Sequence, residues 1–131
     1  MITEHTEQVL IYKWCKAKRI PMYAVPQGIY LPVPKFIPVK YQNILKKCVQ
    51  KVMSKMKSEG AFQKGISDIV VPIANKKYGH LYIELKIKGN YATKEQKEFL
   101  ARVNKNGCFG AVCYGSEDAI KTIEDYLGNR L

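Results

Sequence analysis

Asp68, Glu84 and Lys86 are the side chains whose types and spacing can do chemistry together. They lie in the stretch from Gly65 to Lys88, GISDIVVPIANKKYGHLYIELKIK. IVVPI is a continuous apolar run rich in β-branched residues and LYIELKIK alternates, so both read as strands, with NKKYG as the turn between them. An antiparallel hairpin centred near Lys76 sets Asp68 opposite Glu84, since the two are equidistant from it. Alternation sends Leu81, Ile83, Leu85 and Ile87 to one face and Tyr82, Glu84, Lys86 and Lys88 to the other. Opposed side chains on such a ladder stand about 5 Å apart at Cβ. Two carboxylates that close repel unless a proton or a cation lies between them. A hard divalent metal with oxygen ligands resolves that repulsion.

These groups need a scaffold. The chain has 131 residues, enough for one domain, spanning 1–131, with a single core. An apolar fraction of 47% with 25% charged residues is ordinary for a globular fold, but 22 Lys and Arg against 11 Asp and Glu give a net charge of +11. A polyanion is the leading physical explanation, nucleic acid ahead of a membrane surface, against the alternative of a merely basic protein. The four cysteines (Cys15, Cys48, Cys108, Cys113) form no CxxC pair and the only histidines are His5 and His80, which argues against zinc. Cys15, Cys48 and Cys113 fall in apolar patterns and read as small core residues in a reducing compartment. A polar, acidic start (MITEHTEQ) is unlike a signal peptide, and no apolar run approaches the roughly 20 residues of a membrane span. The expected location is the cytoplasm.

In chain order, residues 3 to 19 read as a helix capped by Thr3, with Glu4 and Glu7 at its positive end and Leu10, Ile11, Trp14 and Cys15 as an apolar stripe. Glu4, Gln8, Ile11 and Cys15 share the core-facing line, although both acids also suit simple first-turn charges. Residues 20 to 41 hold five of the six prolines. MYAV suits a short strand, Pro26-Gln27-Gly28 reads as a type II turn, and LPVPKFIPV as an extended segment that packs on something. Residues 43 to 59 give an amphipathic helix capped by Asn43 and ended by Gly60, apolar along Ile44, Leu45, Cys48, Val49, Val52, Met53 and Met56 and lysine-rich opposite. Between Glu7 and Asp68 there are twelve cations and one acid, Glu59, which favours phosphate contacts. A membrane-surface or partner-binding role would account for this helix alone. Thr93 and Gln96 fit a capping box before a helix that Gly107 ends. CFGAVCYG reads as a buried strand, and Ser116 as the cap of a last helix facing inward through Ile120, Ile123, Tyr126 and Leu127.

A head-of-strand Asp followed by E-x-K in the next strand, within this order of helices and strands, resembles the PD-(D/E)XK nucleases. Gly60 and Gly65 bracket the approach to Ser67-Asp68. Then come Tyr82-Ile83-Glu84-Leu85-Lys86, Thr93 to Gln96 with Phe99, and Gly107 ahead of Ala111-Val112-Cys113-Tyr114. With Glu4, Gln8 and Trp14 in the first helix and Val25-Pro26-Gln27-Gly28 as a turn, the set resembles the virus-type replication-repair nuclease (VRR-NUC) family in its small stand-alone phage or prophage form. Single pieces such as E-x-K arise often by chance, and the ordered set carries the likeness along nearly the whole chain. Ser67 stands where the family name has proline, and Gln27 where the turn has asparagine.

The resemblance implies a restriction-endonuclease-like α/β core, a mixed central sheet flanked by helices. It also implies a metal-dependent DNA endonuclease using Mg²⁺ or Mn²⁺ and no small-molecule cofactor. Asp68 and Glu84 would be metal ligands and catalytic groups, with the Leu85 carbonyl and Glu4 completing the set. Glu7 is the alternative helix acid, and Glu4 is preferred because Gln8 and Trp14 then fall in register. Lys86 would orient or deprotonate the water, or stabilise developing charge, and Gln96 would position the water or a phosphate oxygen. Lys16, Lys18, Arg19, Lys47, Lys51 and Lys64 would track the DNA backbone. A homodimer acting on four-way (Holliday) junctions in a bacterial or phage-infected cytoplasm is implied, with Pro32 to Pro38 and the second helix's apolar stripe as contacts. The same site would serve a flap, nicking or restriction-like endonuclease. A non-catalytic basic nucleic-acid-binding protein would explain the charge and leave the D, E and K unexplained.

Overall fold

The computed structural model describes all of residues 1–131. Its elements are α1 (Glu4–Ala17), β1 (Tyr23–Ala24), α2 (Val39–Ser58), β2 (Ile69–Val71), β3 (Leu81–Lys86), α3 (Lys94–Lys105), β4 (Phe109–Tyr114) and α4 (Gly115–Leu127). The mixed α/β class expected from the sequence is the class observed. One sheet runs in the order β1-β2-β3-β4, antiparallel except for the parallel β3–β4 pair that α3 connects. The chain divides into two compact units, Met1–Val25 with Gly65–Leu131, and Pro26–Lys64.

In the first unit β3 is the central element. Leu81, Ile83 and Leu85 are buried on one of its faces with Ile11 and Cys15 of α1 and Ala119, Ile123 and Tyr126 of α4. Each fully buried aliphatic side chain of this kind stabilises the fold by about 1.5–3 kcal/mol. The opposite face carries Tyr82, Glu84 and Lys86 beneath α3, with Phe99 edge-on to Tyr82 at 5.7 Å. The period-2 alternation is present, but the polar face is not a solvated one: Glu84 is fully buried and Lys86 is 7% exposed. Gly110 lets α3 approach β4, because a Cβ there would stand 2.8 Å from Val103 Cγ2. The 75–78 turn is closed by Asn75, whose side-chain oxygen accepts the Lys77 and Tyr78 N–H groups at 2.8 and 2.7 Å.

Several local expectations are corrected here. Strand β4 is an edge strand with only Cys113 fully buried, where the apolar run suggested a buried one. Leu10 is half-exposed. Ser116 does not cap α4. The Glu7 carboxylate from α1 accepts the Ser116 N–H instead, and Asp118 accepts the Tyr114 N–H at 2.8 Å. A carboxylate from outside the helix meets the positive end of the α4 dipole, a role local sequence does not reveal.

The second unit is dominated by α2. It starts at Val39 with Pro38 at the N-cap, so Asn43 lies inside the helix and caps nothing. The fixed φ of Pro38, -55°, sets the entry, and Gln42 Nε2 donates back to the Ile37 carbonyl at 2.6 Å. Gly28 does not adopt positive φ, so the turn at Pro26–Gly28 is not type II. Gly28 lies close to Met53 of α2 instead, its smallness leaving room for the thioether. No α2 residue is fully buried, and Cys48 is exposed where a core cysteine was expected.

Candidate active site

The hairpin register is the one inferred from the turn. Ile69 pairs with Ile83, Val70 with Tyr82 and Val71 with Leu81, so the next pair outward is Asp68 with Glu84. Asp68 lies one residue before β2, where regular pairing has ended, yet its carboxylate is fixed on the neighbouring strand. Its Oδ2 accepts the Leu85 N–H at 2.8 Å. Gly65 permits the approach: it holds φ +85°, and a Cβ there would meet the Glu95 backbone at 2.8 Å. Any larger residue would push the loop carrying Asp68 away from the start of α3.

Glu84 is the hub. Its Oε1 accepts from both Lys86 Nζ and Gln96 Nε2, while its Oε2 is buried with no partner. Gln96 reaches it from the first turn of α3 and at the same time closes the capping box, its Oε1 accepting the Thr93 N–H at 2.7 Å. Gln96 therefore holds the helix end with one amide atom and Glu84 with the other. The expected capping partner is thus also the side chain that reaches Glu84.

Electrostatics follow from burial. Burial pushes the Glu84 carboxyl up to about 7, against the hydrogen bond from Lys86, and the nearby Asp68 charge adds to the rise. Asp68 is raised for the same first cause, opposed by the Leu85 N–H and the Lys86 charge. Burial alone would lower Lys86, but its hydrogen bond to Glu84 and the charges of Glu84, Glu4 and Asp68 outweigh that, so it is held as an ammonium.

Glu4 and Glu7 diverge. Glu4 lines a pocket of about 410 Å³ with Lys86, Asn90, Tyr91, Thr93 and Gln96, and Asn90 Nδ2 donates to its Oε1 at 3.2 Å. Glu7 is engaged at the start of α4, and the Ser116 hydrogen bonds hold its carboxyl below the usual range. The three carboxylates Glu4, Asp68 and Glu84 do not gather into one ready-made cluster of metal ligands. What the site offers a cation is the Asp68–Glu84 pair and the unpartnered, buried Glu84 Oε2. A strand residue sends its N–H and C=O to the same side, so the Leu85 carbonyl faces the edge where Asp68 sits. An acceptor-only oxygen buried beside a second carboxylate is the donor set a hard cation satisfies.

Asn90 was not anticipated. Gly89, three residues beyond the end of the E-x-K strand and at φ +96°, is the signal that a turn returns the chain toward α1 at this point. The six anticipated phosphate-contacting cations are all exposed: Lys16, Lys18 and Arg19 around the end of α1, Lys47 and Lys51 on α2, and Lys64 at the end of the second unit.

Residues 3–117 match the VRR-NUC domain family. No curated protein sequence matches the chain. A solved structure of a VRR_NUC domain protein is similar with a TM-score of 0.71 at 24% identity, covering 97% of this chain and 89% of that one, which is a likeness of fold. With the family match running through nearly every element that builds the site, the chain belongs to the VRR-NUC family, nuclease domains of the PD-(D/E)XK type.

Proposed function

We propose that the chain is a divalent-metal-dependent DNA endonuclease that cuts phosphodiester bonds at branch points as a homodimer, with four-way junctions as its leading substrate. The single observation that carries the chemistry is the pair of a fully buried Glu84 and a half-buried Asp68, with Glu84 Oε2 unpartnered and Lys86 and Gln96 fixed on Oε1. Asp68, Glu84 and the Leu85 carbonyl would hold Mg²⁺ or Mn²⁺, with Glu4 reaching it directly or through water. The bound ion would lower the pKa of a coordinated water and screen charge on the scissile phosphate. Lys86, held as an ammonium by Glu84, is suited to stabilise negative charge developing on the phosphate oxygens and to orient the attacking water. As a neutral amine the same side chain would instead help to deprotonate that water. Gln96, clamped between Thr93 and Glu84, keeps the carboxylate in one orientation. Lys16, Lys18, Arg19, Lys47, Lys51 and Lys64 would contact backbone phosphates, which position DNA without reading its sequence.

The dimer reading is supported by apolar surface in the second unit. Tyr30 is 87% exposed, Phe36 83% and Val39 69%, with Ile44, Leu45 and Val52 also open to solvent on α2. Apolar side chains left open to solvent along one helix and the segment before it suit a partner surface. Two sites related by a two-fold axis would match the symmetric strands of a four-way junction. Flap, nicking and restriction-like cleavage use the same site chemistry and are the competing substrates. The test is incubation of purified protein with labelled four-way, flapped and linear DNA in Mg²⁺ or Mn²⁺, with its mass in solution measured by sedimentation. Preferential, symmetric cutting of the four-way DNA by a species of twice 15.0 kDa is expected. Equal cutting of flap and junction overturns the junction claim, binding without cutting overturns the enzyme reading, and a monomer mass overturns the dimer.

A further inference from the structure

A second cavity adjoins the catalytic pocket. It holds about 650 Å³ and is walled by Ile2 and Leu10 at the start of the chain, by Tyr91 after β3, and by Tyr114 where β4 enters α4. That volume is in the range of sites that take a small organic ligand. Gly89, Asn90 and Tyr91 line both cavities, so the two adjoin at the loop that follows Lys86. Tyr91 stands on this shared edge, 78% exposed, and Tyr114, 47% exposed, also lines the cavity.

We propose that this cavity is a subsite for one nucleobase, unstacked from the DNA strand being cut and held against Tyr91. The inference rests on the nuclease reading, because it takes its ligand from the strand whose phosphate occupies the neighbouring pocket. Two observations specify a base and not a second phosphate. The polar groups at the rim include two carboxylates, Glu7 and Glu117, against one cation, Lys88, so the charge is wrong for an anion. The walls are aromatic and aliphatic, which suits a flat, largely apolar ring, and aromatic faces accept any base by stacking. Carboxylate acceptors suit bases that carry exocyclic amino donors, as cytosine and adenine do. Unstacking a base costs a few kcal/mol in duplex DNA and least where pairing is already broken. A subsite of this kind therefore biases cleavage toward branch points and frayed ends without reading a sequence.

The test is fluorescence anisotropy of labelled flapped and four-way DNA with the full chain in chelator, so that binding is read without cutting. An abasic residue is scanned through the branch and each DNA is titrated with wild type, Tyr91→Ala and Tyr91→Phe. The expected result is one position at which base removal weakens wild-type binding by about tenfold, the order that alanine substitution of a stacking residue gives. Tyr91→Ala should weaken binding of intact DNA similarly, lose sensitivity to that abasic position, and leave the thermal melt unchanged. Tyr91→Phe should retain it, since the ring remains. Uniform tolerance of abasic positions, or wild-type affinity in Tyr91→Ala, overturns the subsite. A parallel Mg²⁺ incubation separates the two readings: an intact base-specific binding pattern without cutting sustains the subsite and overturns the nuclease activity alone.

Discussion

Asp68 is held by a main-chain group of the strand it faces: its carboxylate accepts the Leu85 N–H at 2.8 Å, one strand residue short of where the lysine emerges. This places one acid by backbone geometry and leaves it next to Glu84, so on the proposed mechanism the same bond would serve both stability and chemistry. The two are separable by substitution. Asp68→Asn keeps an oxygen acceptor, so melting should shift little while cleavage falls by at least about a hundredfold, the scale of one lost catalytic group. Asp68→Ala leaves a sequestered N–H unpaired and should in addition cost about 1–3 kcal/mol. Thermal melts beside cleavage rates check this, and full activity in Asp68→Asn would refute the assignment.

Gln96 joins the α3 cap to Glu84. Gln96→Ala loses both and should cost about 1 kcal/mol in denaturant unfolding. Gln96→Glu keeps a capping-box partner but sets a third carboxylate against Glu84. Its melt should stay nearer to wild type than that of the alanine variant while its cleavage drops. If Gln96→Glu cuts as well as wild type, the hydrogen bond to Glu84 is not part of the machinery.

Much of this site was legible in the sequence because hairpin register is local arithmetic. Equal distances from Lys76 put Asp68 against Glu84, and the observed pairing of Ile69 with Ile83 has the same register. T-x-x-Q announced both the α3 cap and the residue that turns out to touch Glu84. The features that stayed hidden are long-range ones. Nothing near Ser116 reveals that Glu7, 109 residues away, occupies the end of α4. The Gly28 turn and the α2 start failed because proline and glycine signals fix where a chain can bend, while packing against Met53 and the φ of Pro38 decide how. Strand β4 looked buried because its apolar run does not disclose that it ends the sheet.

The two acids of α1 should separate cleanly. Glu7 accepts the Ser116 N–H at a helix N-terminus, so Glu7→Ala should destabilise by about 1 kcal/mol, the usual value of a lost cap. Glu4 touches only Asn90 by hydrogen bond, so Glu4→Ala should melt near wild type and cut more slowly. Chemical denaturation with activity assays distinguishes them, and the reverse pattern, with Glu4 stabilising and Glu7 mute, would contradict the placement.

Stability should vary with pH in a sense set by Glu84. Its carboxyl stands at about 7 in the fold against 4.5 as the ordinary value, with burial as the first cause. Folding therefore takes up a proton between those values, so this contribution is full below pH 4.5 and is lost as pH rises through about 7. Glu7 and Asp125 are shifted downward, by Ser116 and by Lys121 with Arg130, so their contributions are full above the ordinary carboxylate values and are lost as pH falls through the lowered ones. Melts in chelator should peak near pH 5 and decline toward pH 8, and Glu84→Gln should flatten the alkaline arm. A melting temperature that climbs from pH 5 to pH 8 in the wild type would contradict the buried-acid account.

The central claim is that Asp68 and Glu84 work by holding a divalent cation beside Lys86. The most direct measurement is cleavage of labelled branched DNA by wild type, Asp68→Asn and Lys86→Ala, each in Mg²⁺, in Mn²⁺ and in chelator. Cutting by wild type in either metal, none in chelator, and losses of at least about a hundredfold in both variants are expected. Cleavage that persists in chelator, or that survives either substitution at the wild-type rate, would contradict it.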